Sequence, residues 1–93
     1  MTVVWSRRAV EHLTAIRDYI AEDNPTAAQE VATRILEGVD LLSRYPNMGR
    51  PGRIVATREL VIPNTPYIVP YRVRERLELI AVFHGRQKWP KRF

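Results

Sequence analysis

Glu59 and His84 are the proton-moving candidates of the C-terminal half, and each stands beside an arginine, in Arg58-Glu59 and His84-Gly85-Arg86. A carboxylate or imidazole next to guanidinium groups is the basic kit for acid–base chemistry on an anionic substrate. The first group moves protons while the second stabilises added negative charge. On a regular strand Arg58 and Glu59 project to opposite faces. Glu59 therefore reads either as a general base or as the ion-pair partner of one of many arginines. His84, at the end of the last expected strand, reads either as an acid–base group or as a rim histidine. His12 lies on the first expected helix beside Leu13 and reads as a surface residue.

Other chemistries lack their residues. There is no cysteine, which excludes thiolate catalysis, a disulfide framework and a cysteine zinc site. Only three acids and one histidine lie beyond residue 45, too few for the converging ligands a metal needs, so neither metal nor cofactor is expected. Ser6 and Ser43 have no nucleophile setting, and Gly49 and Gly52 sit in a turn rather than in a phosphate-binding loop.

Binding is the better-endowed chemistry. Residues 1–45 hold five bases and seven acids, a net −2, whereas residues 46–93 hold ten bases and three acids, a net +7. Thirteen of the fifteen bases are arginine, the residue suited to bidentate contacts with phosphate or carboxylate. In the tail, Arg86, Lys88, Trp89 and Arg92 combine cations with an aromatic ring. They are the expected target-binding anchors, since a few such residues usually dominate an interface. Deleting residues 86–93 is expected to remove this surface while leaving the rest folded.

The elements that must carry these residues follow from the pattern. Thr2–Trp5 is a β-branched and aromatic run, and Ser6 can cap the helix after it. Val10, Leu13, Ile16 and Ile20 recur at helical spacing to near Asp23. Asn24 caps a second helix with Pro25 in its first turn, and an apolar stripe runs from Ala28 through Leu42 to about Tyr45. Two helices joined by so few residues form an antiparallel hairpin. After the breakers of residues 45–52 the period becomes two. Arg53–Val55 and Thr57–Ile62 read as extended, Tyr67–Arg74 and Leu77–Phe83 as strands. Pro70 lacks an N–H, which places its strand at an edge or makes it irregular. The last strand, with Leu77, Leu79 and Ala81 against Ile80 and Val82, reads as a central one. The expectation is one α/β (α+β) domain over residues 1–93, ordered β-α-α-β-β-β, with a helical hairpin on one face of a small, mostly antiparallel sheet. The first eight residues contain no signal-peptide core and no run reaches the ~18 apolar residues of a membrane helix. A soluble, cytoplasmic protein without membrane contact is expected.

This order, with Tyr45-Pro46-Asn47-Met48-Gly49-Arg50, Arg58-Glu59-Leu60-Val61-Ile62, Tyr67-Ile68-Val69-Pro70-Tyr71-Arg72-Val73 and Val82-Phe83-His84-Gly85-Arg86, resembles the RelE/ParE toxin superfamily over nearly the whole chain. The resemblance implies a growth-inhibiting toxin of a type II toxin–antitoxin system, a plasmid-stabilisation module. Its partner is a cognate antitoxin, whose acidic segment would wrap the basic half in a hetero-oligomer. Two mechanisms are implied. ParE-like members inhibit DNA gyrase; RelE-like members are enzymes that cut mRNA on the ribosome. Where the RelE-like nucleases usually carry an arginine on the penultimate strand, this chain has Ile68. Arg86 matches a basic position of theirs, but Gln87, Lys88 and Trp89 stand where their tyrosine often follows. The resemblance leans toward the gyrase inhibitors. In the nuclease alternative, Glu59 or His84 would move protons as an RNA 2′-hydroxyl attacks the adjacent phosphate, with Arg58 and Arg86 stabilising the charge.

Overall fold

In the computed structural model, which describes all 93 residues, the caps act as the sequence suggests. Strand β1 (Val3–Trp5) leads to helix α1 (Arg7–Ala21), whose first turn is closed by Ser6 Oγ accepting from Ala9 N at 3.0 Å. Asn24 Oδ1 accepts from Ala27 N in the same way and opens α2 (Pro25–Arg44), with Pro25 at a position that needs no N–H. The helices pack as the expected hairpin. One detail of phase differs: Ala9 is fully buried, while Val10 is 49% exposed. The inward stripe of α1 thus runs Ala9, Leu13, Ile16.

The hairpin covers one face of a six-stranded sheet in the order β1-β5-β4-β3-β2, with β6 also on β4. The strands are β2 (Arg50–Pro51), β3 (Arg58–Val61), β4 (Tyr67–Val73), β5 (Leu77–Leu79) and β6 (Phe83–His84). Only the β1–β5 pair is parallel. Ile35, Val39 and Leu42 of α2 meet Leu60, Val69, Tyr71, Leu77 and Leu79 in one core cluster. Each fully buried Leu or Ile there contributes about 1.5–3 kcal/mol. No helix is long and apolar enough to cross a membrane.

Two expectations are corrected. Arg53–Val55 is not extended but turns back, because the Arg53 backbone N–H and Nε both bond Glu59 Oε2. Thr57 N then closes on Ile54 O, with Ala56 at a φ of 63°. The expected turn at 45–52 in turn contributes the edge strand β2. Of the two readings of Pro70, the edge is excluded, because β4 lies between β3 and β5.

The irregularity that Pro70 imposes falls on its neighbour. Its carbonyl accepts from Ile80 N at 2.9 Å, so its missing N–H also faces the last strand. That strand breaks at residues 80–82 into β5 and β6. The alternation slips with it, so Ala81 joins Ile80 and Phe83 on the outer face while Val82 joins the Leu77–Leu79 side.

Tyr71 pins the 46–49 turn to the sheet. Its fully buried hydroxyl donates to Pro46 O at 2.7 Å and accepts from Gly49 N at 3.0 Å. A Cβ on residue 49 would lie 2.5 Å from that hydroxyl, so only glycine fits.

Candidate functional site

The outer face of the sheet is organised around one buried carboxylate. Glu59 is 2% exposed and sits opposite Pro70 on β4. Its Oε1 accepts from Arg50 Nε (3.0 Å), Arg50 Nη2 (2.9 Å) and Arg53 Nη2 (3.3 Å). Its Oε2 accepts from Arg53 N (2.8 Å) and Arg53 Nε (3.0 Å). Burial alone would raise the Glu59 pKa, but the Arg53 side chain and backbone and the Arg50 side chain outweigh it, and the net shift is downward. Both lone-pair regions of the carboxylate are filled, and its basicity is lowered. The carboxylate is ion-paired to two arginines, the arrangement that the second of the two readings of Glu59 describes.

The C-terminal tail is laid over the same face. A turn begins at β6, where His84 N donates to Gln87 Oε1, Gln87 N to His84 O, and Arg86 N to His84 Nδ1. The chain then returns so that Trp89 packs on Phe83 with ring centroids 4.8 Å apart, and Phe93 stacks on Phe83 at 6.1 Å. The Arg53 guanidinium lies 3.5 Å from the centre of the Trp89 ring. Arg53 is thus clamped between Glu59 and Trp89, a cation–π contact added to an ion pair.

The four residues that acid–base chemistry would need are not brought together. Cross-strand register puts Glu59 opposite Pro70 and His84 opposite Tyr67, and residues 67 and 70 point to opposite faces of β4. Arg58 is on the helix side, where Nε donates to Gly49 O and Nη2 to Asn47 O, bracing the 47–49 turn. His84 meets Tyr67 edge-on at 5.8 Å and lines a groove with His12, Ile16 and Tyr19. Arg86 is exposed.

Of the expected binding anchors, Arg86, Lys88 and Arg92 are exposed, whereas Trp89 is half-buried in packing. The roles of Arg50, Arg53, Tyr71 and His12 were not read from the sequence. The signal for the first two was Glu59 itself, one of three acids among ten bases.

His12 is not a bystander on the helix surface. Its Nδ1 accepts from Val82 N at 3.1 Å, satisfying a backbone donor freed where the last strand breaks, and its ring lies 5.4 Å from Phe83. Burial first, and then the nearby Arg8 charge, holds its pKa below the usual 6.5. Because the folded pKa is the lower one, the stabilisation is complete above about pH 6.5 and declines as the pH falls toward and through the folded value. The melting temperature is therefore expected to drop between pH 7 and pH 5, and the drop to shrink in His12→Gln. A wild-type profile that stays flat over that window would refute this role.

No three His, Cys, Asp or Glu residues are grouped closely enough to hold a metal ion. What the outer face offers is a rigid arginine–carboxylate–tryptophan clamp with free cations around it.

Comparison with known proteins agrees with this architecture. The family model for the ParE toxin of the type II toxin–antitoxin system parDE matches residues 3–89. Toxin Y4kP of Sinorhizobium fredii is 48% identical over 87 residues, spanning 94% of this chain and 91% of that protein. Toxin RelE2 of Caulobacter vibrioides is 43% identical over 84 residues, spanning 89% and 93%. Among solved structures, a chain of the chromosomal ParDE system from P. aeruginosa superposes with a TM-score of 0.82 at 26% identity, covering 90% of this chain and 95% of that one. The chain belongs to the ParE toxin family of type II toxin–antitoxin systems, within the RelE/ParE superfamily, and its partner is accordingly an antitoxin.

Proposed function

We propose that this toxin arrests growth by binding DNA gyrase, with the exposed cations Arg86, Lys88 and Arg92 as contacts, rather than by cutting mRNA. The observation that carries the reading is the state of Glu59. A carboxylate that already accepts five hydrogen bonds from two arginines, on the opposite face from His84, is poorly placed to take a proton from RNA. The ParE family model and the ParDE structural neighbour support the same reading. The name RelE2 of the Caulobacter relative favours the nuclease alternative.

Assays of the purified toxin against gyrase supercoiling and against ribosome-bound mRNA separate the two. Inhibited supercoiling with intact mRNA is expected. Cleaved mRNA with untouched supercoiling would sink the proposal. In cells, where the toxin would act in the cytoplasm, expression alone should stop growth and co-expression of the neighbouring antitoxin gene should restore it.

A further inference from the structure

The last hydrogen bonds of the chain close at Gln87, whose N–H and side-chain oxygen are both tied to His84. Beyond it, residues 88–93 form no hydrogen bond and no ion pair with the rest of the protein. Ring contacts alone hold them. Trp89 and Phe93 pack on Phe83, the Arg53 guanidinium lies over Trp89, and that of Arg8 lies 6.0 Å from the centre of Phe93. One of these anchors carries a penalty. Trp89 Nε1 is buried without a hydrogen-bond partner. A donor that loses water and gains no acceptor offsets part of what its ring gains by packing. Under the segment, Ile80, Ala81 and Phe83 form a small buried cluster of their own, packed by Trp89 and Phe93. Lys88, Lys91 and Arg92 point into solvent and hold nothing down.

We propose that residues 88–93 are a strap with two positions, closed over Phe83 in this structure and open in a minor population, and that it opens without the domain unfolding. The energy of a local opening is set by the contacts it breaks. Here none of them is a backbone bond, so lifting the strap leaves every strand pair and the helix–sheet core as they are. The pivot lies between residues 87 and 88. Behind it the 84–87 turn stays closed, and Gly85 N remains on Pro66 O at 2.7 Å. Opening returns Trp89 Nε1 to water. Arg53 loses its ring but keeps its place, because Glu59 Oε2 still accepts from its N and Nε. What the open form uncovers is an apolar strip, Ile80, Ala81 and Phe83, bordered by Arg8 and Arg53. The closed form hides that strip, so the strap gates it. The gyrase reading uses Lys88 and Arg92 of the strap, but the opening is a property of the chain alone, and either can fail without the other.

The test is hydrogen exchange in the full ¹⁵N-labelled chain. It follows the Trp89 indole N–H against the backbone N–H of Val69, which is fully buried in β4 and exchanges through global unfolding. The indole should be protected by about tenfold or more over free tryptophan, yet open at least roughly tenfold more often than Val69. Low urea should leave the indole rate flat and raise that of Val69, because lifting a strap exposes little surface. Two variants separate the events. Val39→Ala thins the core shared by the closed and open forms, so it should raise Val69 exchange by roughly tenfold and leave the indole unchanged. Phe93→Ala weakens only the closed form and should raise the indole opening several-fold. An indole that opens as rarely as Val69, with the same urea slope and the same response to Val39→Ala, would overturn the proposal. So would an indole exchanging like free tryptophan, or one indifferent to Phe93→Ala.

Discussion

Glu59→Gln is expected to lower stability by about 2–3 kcal/mol. Breaking a buried ion pair on one side typically costs about 3–5 kcal/mol. Here the arginine partners are 52% and 42% exposed and can turn partly to water, so the lower figure applies. Glutamine keeps the shape but replaces one acceptor with an NH₂ group facing guanidinium donors, so the clamp on Arg53 and the 53–57 turn loosen. For a domain of this size, about 4–8 °C per kcal/mol makes a fall in melting temperature of roughly 8–24 °C. The pH dependence has a fixed sign. The Glu59 pKa is depressed, so its stabilisation is present above the ordinary glutamate value of 4.5 and lost as the pH falls through the folded value. In the variant this acid-side loss should be reduced. Assayed below its melting temperature, Glu59→Gln should still inhibit its target. A general base would behave in the opposite way, losing about 10²–10⁴-fold in activity with little change in stability.

The second large effect concerns the tail. Ending the chain at Gly85 removes Trp89 and Phe93 from Phe83 and takes away the ring over Arg53. Two half-buried aromatic side chains together contribute about 3 kcal/mol, and the cation–π contact about 1 kcal/mol more. A 93-residue domain has a total stability of about 5–14 kcal/mol. The truncated protein should therefore be marginal, with a broadened or lost thermal transition and an exposed apolar outer face prone to association. The packing of Trp89 and Phe93 on Phe83 thus argues against removing the tail without consequence for the hairpin and sheet. The single substitutions Arg86→Ala and Lys88→Ala, on exposed side chains, should stay within about 0.5 kcal/mol of the parent. They are the variants that report on target binding without unfolding the protein. A truncated chain melting like the parent would show that the tail only rests on the sheet.

Local signals carried the helices. Ser6 and Asn24 act through bonds within three residues and Pro25 through its own ring, so both starts were legible, as were the hairpin and the breakers at 45–52. The opposite facing of Arg58 and Glu59 followed from strand geometry alone. The charge excess of the second half was equally plain, because it needs only counting.

Which arginine meets which carboxylate was not legible. Arg50 and Arg53 reach Glu59 only because β2 pairs with β3 and the 53–57 loop folds back, and that return is itself made by bonds to Glu59. The effect of Pro70 needed its partner strand. A missing N–H announces an irregularity, but whether it falls at an edge or on a neighbour depends on strand order, and here it broke β5 from β6. His12 found its role at that break, 70 residues away. The functional question turned on the same level of structure. Glu59 and His84 look alike as candidates in the chain, and only the cross-strand register with Pro70 and Tyr67 set them on opposite faces of the sheet, because side chains on a strand alternate and pairing decides which alternate is which.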